Sequence, residues 1–276
     1  LRQQTKIDDN GQKSVNGSEQ SVREKSAELA KKLFPGNSKK QEELSDRLVQ
    51  TISQVQNKDL LVIHSPGGWG NSRWEDLQEW EKSIVTGVTS TLTKLGYSLI
   101  MVQYFRSGPT WASHMKDVFK EAQFFFAGVS YRAEVMAEEV KFIIQQLPQI
   151  KVVLVGASQG ASFNNTVMMK LGEADRVYSV ELGTFFPHMP RRKLTERNLA
   201  IDSNGFMRDP MCNRDLWAGF KAYLGAFIRW FRHRIIGQKV KFTNCINTPG
   251  HEYKWEYPEV HRRITEFLTG KFQEKR

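Results

Sequence analysis

Lys151-Val152-Val153-Leu154-Val155 is an apolar, β-branched run that stops at Gly156-Ala157-Ser158-Gln159-Gly160, and helix-compatible spacing resumes from Ser162 to Leu171. A short apolar run bounded by glycine reads as a strand buried on both faces. A strand that feeds straight into a helix has to turn within a few residues. The residues two before and two after the central serine then crowd each other, and Gly156 and Gly160 meet that demand. Ala157 and Ala161 keep the neighbourhood compact. Such a turn lifts the Ser158 hydroxyl out of the sheet and sets it at the N-terminus of the next helix, where free N–H groups favour negative charge. This is the layout of a nucleophile elbow.

The pentapeptide is short, so its context decides how it is read. From Lys58 onward, strand-like and helix-like segments alternate. Leu60–Ile63, Tyr97–Tyr104, Val152–Val155, Arg176–Leu182, Leu199–Ile201 and Val240–Ile246 read as strands. Trp74–Leu95, Trp111–Phe126, Ala133–Leu147 and Glu256–Phe272 read as helices. The alternation predicts an α/β fold: a mainly parallel central sheet covered by helices on both faces. Ligands of such sheets bind beyond the carboxyl ends of the strands, and Ser158 stands at one of those ends.

Residues 1–57 differ in character. Residues 1–20 are rich in Gln, Asn, Ser and Gly and read as frayed. A surface helix is expected from Val22 to Leu33, broken by Pro35-Gly36-Asn37. Leu44, Leu48, Ile52 and Val55 then mark an amphipathic helix with one narrow apolar stripe. The expected division is a polar, partly disordered helical arm over 1–57 and an α/β domain over 58–276. The chain begins at Leu1, which fits removal of an upstream signal, membrane anchor or tag. No run of 18 uncharged apolar residues exists, so no transmembrane helix is expected. Cys212 and Cys245 stand far apart, without metal-ligand spacing, and read as two buried thiols in preference to a disulfide pair. The net charge of +10 fits either an ordinary basic surface or attraction to an anionic membrane surface. The basic residues are scattered and form no nucleic-acid-binding module, so no specific nucleic-acid partner is expected.

A serine needs a base within hydrogen-bond reach, and the base needs an orienting acid. His251 is the expected base. It lies in the loop Asn247–Tyr253, after the last expected strand, behind the sharp Pro249-Gly250 turn. His64, at the end of the first strand, is expected to shape its loop. Two acids follow the strand Leu199–Ile201: Asp209, before Pro210, is the first choice and Asp202 the alternative, with Glu181 third. The Gln159 N–H is one expected oxyanion donor. The second comes from the loop His64–Gly70, where Gly67, Gly68 and Trp69 compete and Gly68 and Trp69 are favoured.

On these residues, the chain resembles the α/β-hydrolases from Lys58 to Phe272. Ser158, Asp209 and His251 follow that superfamily's order of nucleophile, acid and histidine. The Ser-Gln-Gly centre is similar to that of cutinases and small carboxylesterases. Ser65-Pro66 stand where the superfamily usually has glycine in its oxyanion loop. The resemblance implies a serine hydrolase acting on a carboxylic ester or thioester through an acyl-enzyme, of esterase, lipase or thioesterase type. It implies a small-molecule or lipid-like ester substrate and no metal or organic cofactor.

The segment Asp215–Gly237 spaces Leu216, Trp217, Phe220, Tyr223, Leu224, Phe227, Ile228, Trp230, Phe231, Ile235 and Ile236 at helical intervals, with Lys221, Arg229, Arg232, His233 and Arg234 between them. Two readings stand. The simpler is a covering helix whose aromatic face packs on the sheet. The other is a basic amphipathic helix that meets a membrane or lipid-like substrate. That second reading motivates a rival for the whole chain: a catalytically inactive scaffold acting as a membrane-associated binding protein. The oligomeric state is not legible in the sequence.

Overall fold

The computed structural model describes residues 10–106, 124, 128, 130–238, 240, 245 and 248–274, and the side chains of 10–18, 216, 218–220 and 223 lie outside that description. Two helices, α1 (Asn10–Leu33) and α2 (Ser38–Val55), lead into an alternating series: β1 (Leu60–Ser65), α3 (Glu79–Lys94), β2 (Leu99–Gln103), α4 (Tyr131–Gln146), β3 (Lys151–Ala157), α5 (Gln159–Leu171), β4 (Val177–Leu182) and β5 (Asn198–Ile201). The helices α6 (Leu216–Ile235) and α7 (Pro258–Lys271) complete the described elements. The expected helix Trp111–Phe126 and strand Val240–Ile246 lie largely outside the described residues.

The five strands are all parallel and lie in the order β2-β1-β3-β4-β5. Alternation along the central strands divides the core in two. Leu61, Ile63, Val152 and Leu154 point to one face, where they meet α1, α2, α4 and α5 through Leu33, Leu48, Met136, Val140, Phe163 and Val167. Leu60, Val62, Val153 and Val155 point to the other, against α3 and α7 through Ile84, Val88, Ile264 and Leu268. Burial on both faces explains why these strands read as continuous apolar runs. The architecture is an α/β fold with a parallel sheet covered by helices on both sides.

The strand order also positions the site. From β1 the chain crosses to β2 on one side, and it then returns to β3 on the other side of β1. The loops leaving the carboxyl ends of β1 and β3 therefore diverge, and a crevice opens between them. Ser65 of β1 pairs with Gly156 of β3, so the loop from Pro66 lies beside the turn at Ser158.

Three local features differ from the sequence expectations. Trp74–Leu95 is not one helix: a short 3-10 turn covers Trp74–Asp76, and α3 begins only at Glu79. Leu77 between them is extended, at ψ 154°, and drops its side chain into the core. α1 already runs from Asn10, within the polar stretch expected to fray. The third is α6. Among its described side chains, Trp217, Leu224, Phe227, Ile228, Phe231 and Ile235 face outward while Ala222 and Ala226 are buried, so that apolar face does not pack on the sheet.

Candidate active site

Ser158 sits between the last residue of β3 and the first of α5, at φ 55° and ψ −119°. It is one of two non-glycine residues with positive φ among those described. An L-residue adopts that conformation at a cost, and it persists only where the surroundings over-determine it. Here they do. A Cβ at Gly156 would approach the Gly160 carbonyl oxygen to 2.5 Å and Asn164 Nδ2 to 2.7 Å, and a Cβ at Gly160 would collide with the Ser65 carbonyl oxygen. The Ser158 N–H donates to the Leu182 carbonyl at 2.8 Å, tying the turn to β4. Both glycines are thus imposed by close backbone packing.

Ser158 and His251 line one cavity of about 360 Å³. Gly67, Gly68 and Trp69 form part of its wall, together with Leu77, Trp80, Glu81, Met211 and Arg229. Among the described residues no hydrogen bond joins Ser158 Oγ to the His251 ring. The other side of the ring is firmly held: His251 Nδ1 donates to Asp209 Oδ2 at 2.7 Å. Asp209 is fully buried. Its Oδ1 accepts the Met211 N–H at 2.8 Å, and its Oδ2 also accepts the Tyr253 hydroxyl and, at 3.2 Å, the Cys212 thiol. Burial is the largest influence on this carboxyl and pushes its pKa up. The His251 hydrogen bond and charge, helped by Tyr253 and Cys212, outweigh it and hold the group below the ordinary aspartate range. Burial and the Asp209 charge push the Cys212 thiol and the Tyr253 hydroxyl up, so both remain protonated donors.

Room for the Asp209–His251 pair comes from Gly183, at φ 61° just beyond β4. A Cβ there would lie 2.9 Å from His251 Cε1 and 3.0 Å from Asp209 Oδ2. Asp202, directly after β5, points elsewhere: its two oxygens take a paired contact from Arg192 Nη1 and Nη2 at 2.9 and 2.7 Å. Glu181 is buried within β4 between Asn165 Nδ2 and Asn198 Nδ2, at 3.0 and 2.7 Å. Of the three carboxylates weighed from sequence, Asp209 is the one beside His251.

The loop after β1 is pinned from two sides. The Gly67 N–H donates to Glu81 Oε1 at 2.9 Å, so it is already engaged. The same oxygen accepts from His64 Nε2 at 3.0 Å, and Gln103 Nε2 donates to His64 Nδ1 at 3.4 Å. With Glu81 accepting, His64 Nε2 carries a proton. On the far side, buried Arg106 donates from Nη2 to the Gly68 carbonyl at 2.5 Å and from its backbone N–H to the Gly70 carbonyl at 2.9 Å. Gly68, at φ 53°, and Trp69 continue this loop along the cavity wall beside Gly67. Gln159 begins α5, where the first N–H groups of a helix have no partner within the helix.

Sequence reasoning missed Glu81, Arg106, Tyr253 and Gly183. Glu81 carried a signal: it interrupts the apolar series Leu77, Trp80, Ile84, Val85, and a carboxylate in a core-facing stripe needs buried donors. Cys212 and Cys245 are both buried free thiols. No described helix is long and apolar enough to cross a membrane.

No protein-family model matches the sequence, and no curated protein matches it. Among solved structures, the chain is similar to a Trichoderma reesei cutinase in complex with a C11Y4 phosphonate inhibitor, at 15% identity over 90% of this chain and 98% of that one, with a TM-score of 0.41. It is also similar to a cutinase-like protein from Cryptococcus sp., at 9% identity over 79% of this chain and 97% of that one, with a TM-score of 0.42.

Proposed function

We propose that this chain is a serine hydrolase that cleaves a carboxylic ester or thioester. Its N-terminal helical arm (1–57) precedes the hydrolase domain (58–276), and the turn at Ser158 is its nucleophile elbow. One observation carries the reading: a serine held in strained backbone at the sheet's switch point shares a cavity with a histidine whose remote nitrogen is bonded to a buried, ionised aspartate.

Ser158 Oγ attacks the acyl carbonyl carbon while His251 Nε2 takes the hydroxyl proton. Asp209 fixes the tautomer that leaves Nε2 free to accept, and it stabilises the imidazolium. The tetrahedral oxyanion is met by the Gln159 N–H and by the N–H of Gly68 or Trp69. Collapse breaks the bond to the leaving group, which receives the proton from His251, and water then repeats the cycle on the acyl-enzyme. A hydrogen bond between Ser158 and His251 that forms only with substrate in place is compatible with catalysis. Trp69, Leu77, Trp80 and Met211 give the cavity the apolar lining that suits an acyl chain.

The test is hydrolysis of p-nitrophenyl esters of graded acyl length. Turnover with a burst of p-nitrophenol equal to the enzyme concentration is expected, and Ser158→Ala should abolish both. A folded wild type that turns over neither oxygen esters nor thioesters would leave a binding scaffold as the better account.

A further inference from the structure

α6 is built the opposite way round from a helix that covers a sheet. Among its described side chains, Ala226 is fully buried and Ala222 nearly so, while Trp217 is 63% exposed, Phe227 60%, Ile228 72%, Phe231 62% and Ile235 72%. At about 100° per residue, Trp217, Leu224, Phe227, Ile228, Phe231 and Ile235 fall within an arc of about 100°, with Ala222 and Ala226 diametrically across. Lys221 and Arg232 border one edge of that arc, and Arg234 borders the other. No Asp or Glu occurs between Leu216 and Ile236.

An apolar stripe of this size is a docking surface, because leaving it in water is unfavourable in proportion to its area. The cations on both borders say which surface fits. Lys221 and Arg234 hold their charged heads over the rings of Trp217 and Trp230, 5.2 and 5.0 Å from the centroids, so positive charge sits at the border of the stripe, where anionic headgroups would meet it. A second copy of this helix would bring cation-bordered faces together with no carboxylate on either to neutralise them, so the charge disfavours self-association. The stripe runs the length of a 20-residue helix, about 30 Å, which suits an extended surface better than a compact ligand. The other side of the helix reaches the site: Arg229 lines the Ser158 cavity, and its Nε donates to the Cys245 carbonyl at 2.8 Å.

We propose that α6 is an interfacial helix whose outer apolar stripe, bordered by Lys221, Arg232 and Arg234, lies in the headgroup–acyl boundary of an anionic lipid surface, while its inner side walls the Ser158 cavity. The proposal does not depend on catalysis, and Ser158→Ala is expected to bind as wild type does.

Co-sedimentation of the full chain with phosphatidylcholine vesicles, with and without phosphatidylglycerol, tests it. Binding to the anionic vesicles that weakens with salt is expected, with little on phosphatidylcholine alone. The variant K221E/R232E/R234E is expected to lose roughly a hundredfold in partitioning, at about fivefold per cation. F227S/I228S/F231S is expected to lose on the order of tenfold per residue. All six positions lie outside the core, so far-UV circular dichroism and the thermal midpoint should match wild type. Folded wild type that stays in the supernatant with anionic vesicles overturns the proposal, as does unchanged binding by both variants. Retention on heparin without vesicle binding overturns it in favour of a soluble polyanion. A wild-type dimer that F227S/I228S/F231S converts to monomer, with no vesicle binding, overturns it in favour of a second copy.

Discussion

Asp209 Oδ2 lies 2.7 Å from His251 Nδ1, whereas Asp202, seven residues earlier in the same loop, is committed to Arg192. The two aspartates therefore have separable consequences. Asp209→Asn is expected to lower kcat by three to four orders of magnitude, roughly, because an amide no longer selects the tautomer that leaves Nε2 free to accept. Asp202→Asn should leave kcat within a few-fold and instead lower the unfolding free energy, since a half-buried arginine loses its partner. Steady-state kinetics and urea unfolding of both variants check this, and the reverse pattern would move the acid's role to Asp202.

Glu81 Oε1 accepts both the Gly67 N–H and His64 Nε2. Glu81→Ala would strand the buried His64 Nε2–H and the partly buried Gly67 N–H beside Gly68 and Trp69. The expected result is a fall in kcat of roughly ten- to a hundredfold with KM little changed, because misplaced oxyanion donors are felt in the transition state. Glu81→Gln keeps an acceptor at that position and should recover most of the loss. A change confined to KM would assign Glu81 to substrate binding.

Strain at Ser158 gives a stability prediction independent of chemistry. The Ser158 side chain makes no capping bond to α5, so removing it costs that helix nothing. Ser158→Gly relieves the positive φ and is expected to raise the unfolding free energy by about 1 kcal/mol, while Ser158→Ala, which keeps the Cβ, should change it by less than about 0.5 kcal/mol. Chemical denaturation of the three proteins decides this. Equal stabilities would mean the turn carries no strain.

Glu181 predicts a pH dependence. Burial, opposed by the hydrogen bonds from Asn198 and Asn165 and by the Arg192 charge, pushes its pKa up to about 7. Its folded-state value is raised, so the fold favours the protonated form. The stability it contributes is fully present below about pH 4.5 and is lost as pH rises through about 7. Integrated over that window, the loss is about 3 kcal/mol. The unfolding free energy of wild type minus that of Glu181→Gln should fall by about this amount from pH 4 to pH 8, whatever constant cost the substitution carries. A flat difference would mean Glu181 titrates normally.

Much of this was legible in the sequence, for reasons that also mark where legibility ends. β3 and β1 are buried on both faces, so they appear as apolar runs, and their alternation with helices implies a parallel sheet. Gly156 and Gly160 are demanded by backbone contacts within ten residues or with the adjacent strand, and small residues at that spacing report such contacts directly. The choice between Asp209 and Asp202 is different. Both follow β5, and only the path of the loop, set by Gly183, Arg192 and the Ser203–Arg208 bridge, decides which one meets His251. The outward face of α6 was hidden for a similar reason. Periodicity tells which residues share a face, and it is silent on whether protein or another surface lies across from it. Leu77 shows the limit at short range, since an apolar position in helical register is equally satisfied by an extended residue over the same core.

The central claim is that Ser158 is an activated nucleophile, and covalent labelling tests it most directly. Wild type incubated with a fluorophosphonate should gain one phosphonyl adduct, mapped by mass spectrometry to Ser158. Ser158→Ala should gain none, and Asp209→Asn should label far more slowly. Folded wild type that stays unlabelled, or an adduct on another serine that persists in Ser158→Ala, would contradict the account.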